Sequence, residues 1–247
     1  MAKKLLGFES DAKTVKGAKH GVLTGILYLI PNDQICPMAK AAGCREGCLV
    51  TSGMAAVYKS IPKSRKAKTD WFHDDRDSFM EQVYRDIANA VKRTKGKRFK
   101  DYGKKLAIRL NGTSDIDWSR IPVRGYANIF EAFPNVQFYD YTKRRDIVRN
   151  SVAIKNWHIT YSYSEARDSY AKKAREIADR YNVNLAAVFE KHRIPAIFAG
   201  RKVISGDETD LRFTDPDNVV VALYAKGEAK KDTSGFVIKL DDIALSA

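Results

Sequence analysis

The sequence predicts an α/β fold: a single domain over residues 1–247, built as a full or partial β/α barrel of the TIM type. Three observations carry this. Short apolar, β-branched runs alternate with longer segments of helical periodicity, the pattern of βαβ units around a parallel sheet. Hydrophobic residues make up 44% of the 247, enough for a large core. No Gly-rich phosphate fingerprint follows the first strand, which weighs against a doubly wound dinucleotide-binding sheet.

The first strand is expected over residues 25–30, an apolar run closed by Pro31, Asn32 and Asp33. A helix is expected over 51–59, stopped by Pro62. Residues 70–92 place Trp71, Phe79, Val83, Ile87, Ala90 and Val91 at helical spacing, with Asp70 as N-cap and Lys92 and Arg93 suited to the C-terminal end. Four strands are expected over 105–110, 136–141, 157–162 and 185–190. Helices are expected between them over 143–155 and 164–181, the second opened by Ser164. The tail adds strand segments at 195–198, 201–204, 219–224 and 236–240.

Lys and Arg number 44 against 30 Asp and Glu, a formal net charge of +14. Such an excess favours an anionic partner, nucleic acid or a phosphate-bearing ligand, and equally serves solubility. Residues 63–68, 92–100 and 143–145 would form a nucleic-acid footprint, although no zinc-finger, helix-turn-helix or RNA-recognition signature accompanies them. The longest apolar run, 21–30, falls short of the ~20 residues of a membrane span. Residues 1–10 hold no apolar signal-peptide core. The expectation is a soluble cytoplasmic protein without a membrane partner.

The chain has three cysteines, Cys36, Cys44 and Cys48, spaced C-x7-C-x3-C directly after the first expected strand. A secreted disulfide framework would use an even set spread along the chain; a tight odd set in a reducing compartment points to metal binding or catalysis. A structural zinc needs a fourth ligand, for which His20 and His73 are the nearest histidines in sequence. A 4Fe–4S cluster normally takes four cysteines; three leave one iron open to a small molecule, solvent or a side chain. Gly43 and Gly47 allow backbone amides near the sulfurs. Three packed thiols without metal fit less well, because Lys40, Arg45 and Glu46 make the segment polar. An iron–sulfur loop after the first strand is therefore expected.

Polar residues gather where the strands end: Arg109, Asn111 and Asp115 after one, Asp140 and Lys143 at the next, Glu165 and then Glu190 at the following two. In a β/α barrel these positions share the mouth that the cysteine loop would cover. Arg109, Lys143 and Arg212 suit a carboxylate or phosphate. Asp115, Asp140, Glu165 and Glu190 suit amines, hydroxyls or proton transfer. Each also has a plainer explanation. Arg109 in an apolar strand needs a buried partner, with Asp140 on the adjacent strand the obvious one. Asn111 and Gly112 can be a turn, Ser164 a cap, and His158 a hydrogen-bonded core residue.

Several of these segments occur together in a known group. Cys36-Pro37, Ala39, Gly43-Cys44 and Cys48-Leu49 are followed by Arg109-Leu110-Asn111-Gly112-Thr113-Ser114-Asp115-Ile116 and Phe138-Tyr139-Asp140-Tyr141-Thr142-Lys143. Next come His158-Ile159-Thr160-Tyr161-Ser162-Tyr163-Ser164-Glu165 and Gly206-Asp207-Glu208-Thr209-Asp210-Leu211-Arg212-Phe213. From about Thr24 onward the chain resembles the phage family known as gene product 88. The resemblance implies a viral protein acting in a bacterial host cytoplasm and supplies no reaction. More distantly, a three-cysteine loop after the first strand resembles the radical S-adenosylmethionine (SAM) enzymes, in which SAM fills the open iron of a 4Fe–4S cluster. Their usual spacing is C-x3-C-x2-C, from which this chain departs. Two functions are expected in competition. One is an iron–sulfur enzyme binding a small molecule, by resemblance SAM. The other is a basic nucleic-acid-binding or host-interaction protein with a structural iron–sulfur or zinc site.

Overall fold

The structure, a computed structural model, describes residues 4–190 and 194–239. It opens with β1 (Leu6–Phe8), α1 (Ala12–Lys19) and β2 (Val22–Leu27), and α2 (Met54–Val57), α3 (Ser60–Asp74) and α4 (Arg76–Lys95) follow. Next come β3 (Lys105–Arg109), α5 (Ile129–Ala132), β4 (Gln137–Thr142), α6 (Arg145–Ser151), β5 (Trp157–Ser162), α7 (Asp168–Tyr181) and β6 (Leu185–Phe189). The chain ends in β7 (Ile197–Phe198), β8 (Arg201–Ser205), β9 (Val219–Tyr224) and β10 (Val237–Ile238).

The ten strands among the described residues join one mostly parallel sheet, in the order β1-β2-β3-β4-β5-β6-β9-β8-β7 with β10 beside β6. β10 runs parallel to β6 at Val188 and Phe189, beyond the point where β5 stops pairing at Ala186. The sheet does not close, which corrects the full TIM-type barrel. Its edges are β1, of three residues, and β7, of two, each antiparallel to its single neighbour. Closure would need parallel strands at both edges to find each other.

The sequential order from β2 to β6 has a consequence. Right-handed crossovers between successive parallel neighbours put the connecting helices on one face. There Phe79 and Val83 of α4, Ile147 of α6 and Ala174 of α7 share a core with Leu23, Ile108, Phe138, Ile159 and Leu185 of the sheet. The opposite, inner face carries Val22, Ala107 and Tyr139, packed against Leu211 and Phe213. α1 lies on this face too: a Cβ at Gly17 would sit 2.3 Å from Thr24 Oγ1.

The strands at 157–162 and 219–224 fall where the pattern places them. The first parallel strand lies three residues earlier than expected. Residues after Leu27 leave the sheet because Ile30 N–H donates to Thr69 Oγ1 of α3 at 2.8 Å. The expected helix over 70–92 is two helices, broken at Asp75, whose carboxylate accepts Ser78 N–H at 3.1 Å. Pro62 does not stop a helix; it lies in the first turn of α3, where its missing N–H has no intrahelical acceptor to serve. α7 begins at Asp168, so Ser164 is not its cap. β1 and α1 have no counterpart in the periodicity. The strand expected over 236–240 is Val237–Ile238, with Leu240 outside the described residues.

Candidate functional site

The cysteine loop leaves β2 at the C-terminal edge of the parallel strands, where α/β sheets bind ligands. Its start is a side-chain turn. Asn32 Oδ1 accepts the N–H groups of Gln34 and Ile35, both at 3.0 Å, and Asn32 C=O accepts Cys36 N–H at 2.9 Å. Ile35 and Ala42 anchor the loop in the core. Ser164 Oγ donates to Ala42 C=O at 2.8 Å, tying the loop to the end of β5. Gly43 has φ +66°, and a Cβ there would stand 2.6 Å from Ala166 Cβ. All three cysteines are half-buried and none is in a disulfide.

The loop after β3 forms the next wall. Asn111 organises it: its Oδ1 accepts from Ser114 Oγ at 2.8 Å, Ile116 N at 3.0 Å and Trp118 Nε1 at 3.0 Å. Thr113 C=O thereby faces Cys36 Sγ at 3.9 Å. Asp115 is buried; it accepts from Thr142 Oγ1 at 2.6 Å and from Lys143 N–H at 3.0 Å, which fixes where Lys143 leaves β4. Burial raises the Asp115 carboxyl above its ordinary range. Burial opposes the charge of Lys143, yet Cys44, Asp115, Cys36 and Cys48 together hold its ammonium above the usual value. Burial likewise pushes the Cys36 thiol up to about 12, against the pull of Lys143, and raises Cys48. Lys143 is thus the cation whose charge acts on all three cysteines. Among the described residues, no group of three or more His, Cys, Asp or Glu side chains is gathered closely enough to hold a metal ion.

These walls coincide with a family pattern: the gene product 88 model matches residues 4–240. The chain belongs to the gene product 88 family. Membership agrees with the phage origin expected from the sequence. No curated protein matches the chain, and no solved structure does.

In this gene product 88 protein the mouth continues onto the inner face of the sheet. Arg65 of α3 lies over the Tyr28 ring, 4.7 Å from its centroid, and its charge reaches Cys48. Below it, Arg109 Nη1 donates to Asp210 Oδ1 and Oδ2 at 3.1 and 2.9 Å. Tyr139 OH donates to Asp210 Oδ2 at 3.2 Å, and Lys13 Nζ stands 3.8 Å from Oδ1. The Arg109 guanidinium also covers the Tyr141 ring at 4.5 Å. Although burial works against it, Asp210 is held below the ordinary carboxylate range by Arg109 and Lys13. Arg212, fully buried, is paired with Asp215 at 3.3 Å.

Cys36, Cys44, Cys48, Asp115 and Lys143 thus lie within electrostatic reach of one another at this edge, while Arg109 lies on the inner face of β3. Asn111 is the scaffold of one wall. Asp140 is not the partner of Arg109. Alternation along β4 points Tyr139 and Tyr141 inward and Asp140 to the helix side, where it accepts Asn111 N–H at 2.6 Å and Trp157 Nε1–H at 3.1 Å. Glu165 is exposed and bonded to Tyr163 OH at 3.1 Å, and Glu190 is exposed. His20 precedes β2, at the opposite end of that strand from the cysteines, and His73 Nε2 lies 3.3 Å from Asn32 Nδ2. Lys13, Tyr28, Arg65, Tyr141 and Asp210 were missed as site residues. Asp210 lies in a quoted family motif and Arg65 in a basic run, but neither spacing reveals an inward side chain.

Several side chains of the basic stretches are engaged within the chain. Lys66 pairs with Asp70 at 2.8 Å, Lys68 Nζ donates to Leu5 C=O at 2.8 Å, and Arg93 pairs with Asp101 at 2.5 Å. Lys100 pairs with Glu9 at 2.6 Å, and Arg144 with Asp146. Among the described residues no helix is long and apolar enough to cross a membrane.

Proposed function

We propose that this gene product 88 chain is an iron–sulfur enzyme in which Cys36, Cys44 and Cys48 hold a 4Fe–4S cluster. Three cysteines would leave one iron open to a small molecule, for which Lys143, Arg65 and Tyr28 would line the adjoining mouth. The observation that supports this reading is that three cysteines share one loop at the C-terminal edge of a parallel sheet, with the Lys143 ammonium near enough for its charge to act on them.

The donor set fits such a cluster. Thiolates are the ligands iron–sulfur clusters use, and each binds a different iron, so the sulfurs surround a cluster rather than meet at one ion. Without metal, Cys36 stays protonated at neutral pH, since its thiol lies at about 12. Ligation therefore releases a proton there, and Lys143 and Arg65 offset the charge that thiolates bring into the half-buried loop. Asp115 holds Lys143 in place through its backbone N–H. When bound, the cluster supplies one-electron chemistry and an open coordination position. The resemblance to radical SAM enzymes makes SAM the first small molecule to test. A reducing host cytoplasm would keep the thiols available.

Anaerobic reconstitution with iron and sulfide tests the proposal. The expected product is brown, with about four irons per chain and a broad band near ~400 nm. Addition of SAM to the reduced protein is expected to change the cluster's electron paramagnetic resonance spectrum. Protein that stays colourless, or that takes up zinc in place of iron, would overturn the assignment.

A further inference from the structure

We propose that the end of α4 and the loop leading to β3 form an interface for single-stranded nucleic acid. Lys92, Lys95, Lys97 and Arg98 take the phosphates, and the Arg98 guanidinium, held over Phe99, offers a stacking surface for a base. Residues 92–105 carry eight Lys or Arg and one acidic residue, Asp101, so half of the net charge of +14 falls in fourteen residues. Lys92, Lys95, Lys97, Arg98 and Phe99 wall a concavity of about 540 Å³. The four cations are exposed, and none pairs with a carboxylate among the described residues.

The loop has a built shape. Asp101 is buried and accepts from Arg93 Nε at 2.9 Å and Lys104 Nζ at 2.8 Å, while Glu9 accepts from Lys100 Nζ at 2.6 Å. The nearby carboxylates are thus engaged by other cations. Carbonyls at the end of α4 would repel a phosphate, and two of them are used. Lys92 C=O accepts Gly96 N–H and Thr94 C=O accepts Gly103 N–H, both at 2.9 Å. The Phe99 ring lies against Gly96, where a Cβ would stand 2.9 Å from Cδ2. Arg98 Cζ is 4.9 Å from the centroid of that ring, which limits where the guanidinium swings.

The chemistry selects the occupant. Four unpaired cations around one concavity exceed what a lone carboxylate needs and suit successive phosphates of a chain. Guanidinium and aromatic planes suit unstacked bases, whereas a duplex keeps its bases stacked inside. Tyr102, exposed and three residues after Phe99, adds a second ring. An anionic membrane is met by protruding apolar side chains; here the Phe99 ring is held within the concavity. The loop enters β3 at Lys105, the N-terminal edge of the parallel strands, whereas the cysteine loop leaves β2 at the opposite edge. The interface is therefore separate from the cysteine mouth and does not rest on the iron–sulfur reading.

Fluorescence anisotropy of the metal-free full chain with labelled oligothymidylate and oligouridylate of ~20 nucleotides tests this. Saturable binding is expected, with Kd on the order of 1–10 μM at ~0.1 M salt. The logarithm of the affinity should fall against that of salt with a slope of about −2 to −3, the value for three or four phosphates. Changing Lys92, Lys95, Lys97 and Arg98 together to Gln should weaken binding roughly tenfold or more and flatten the slope. The same change at Lys155, Lys172, Lys173 and Arg180, exposed elsewhere, removes equal charge and should leave the affinity within about twofold. If the first variant does not fold, Lys97→Gln with Arg98→Gln serves, with a slope shallower by about 1. Equal weakening in the two fourfold variants would show net charge alone and overturn the site. So would the absence of saturable binding, tighter binding of a duplex of the same length, or binding confined to phosphatidylglycerol vesicles.

Discussion

Arg109 and Asp210 lie 101 positions apart and meet as a buried ion pair, one guanidinium nitrogen donating to both carboxylate oxygens. The pair joins β3 to the segment that returns across the inner face before β9. Neither side chain is more than 9% exposed, so each charge depends on the other.

Removing one partner should therefore cost far more than an ordinary surface change. Asp210→Ala is expected to lower unfolding free energy by about 3–5 kcal/mol, because Arg109 keeps a buried charge without its main counterion. Replacing both partners, Arg109→Met with Asp210→Leu, should recover much of that loss. Urea denaturation of the single and double variants measures it; a double variant no better than Asp210→Ala would refute the account.

Asp140 governs a pH dependence of the fold. Burial raises its carboxyl to about 7, from an ordinary value near ~4. Between these values the folded chain binds a proton that the unfolded chain does not. Its contribution to stability is therefore full below about pH 4 and is lost as pH rises through about 7. Asp215, raised to about 6, adds a slope of the same sign. Asp140→Asn removes the Asp140 part of the slope. It should also cost about 1–3 kcal/mol, since its amide group cannot accept from both Asn111 N–H and Trp157 Nε1–H. Denaturation midpoints across pH 4–8 for both proteins give the comparison.

The three cysteines should act as a set. Changing Cys36, Cys44 or Cys48 singly to Ala is expected to strip or degrade the cluster, and protein without it should melt earlier than the loaded form. Iron and sulfide analysis beside anaerobic melting curves checks both. Full iron and sulfide in all three variants would remove the cysteine assignment. Equal melting temperatures would remove the link to stability.

Asn111 should matter through the wall it builds. Asn111→Ala leaves Ser114 Oγ–H, Ile116 N–H and Trp118 Nε1–H without their shared acceptor, at an expected cost of about 2–4 kcal/mol. The wall carries the Thr113 carbonyl that faces Cys36, so iron loss to a chelator should quicken as well. A variant with wild-type stability would show that the loop holds its shape without this side chain.

Lys143→Met should weaken cluster retention without unfolding the chain. The ammonium is the cation whose charge acts on all three cysteines, whereas its structural tie to Asp115 runs through the backbone N–H and survives the change. Faster iron release at an unchanged urea midpoint is the expected result.

The alternation of strands and helices, the parallel sheet, and the loop that concentrates every cysteine after the first parallel strand were legible in the amino-acid sequence. These are local properties: the period of apolar residues, the turn residues and the spacing of like side chains. Legible too was the nearness of Asp115 and Lys143 to that loop, because residues that follow parallel strands collect at one edge of the sheet. The remaining features come from long-range packing. Sequence periodicity does not say whether a parallel sheet closes; the antiparallel arms β1 and β7 leave this one open. Alternation puts Arg109 and Asp140 on definite faces only once the register of β3 on β4 is known, and that register turns them apart. Asp210 reaches Arg109 because the chain returns across the inner face a hundred residues later, and Arg65 turns inward because α3 is anchored to the end of β2 through Thr69. Contacts of that kind depend on the path of the whole chain, and local spacing carries no record of it.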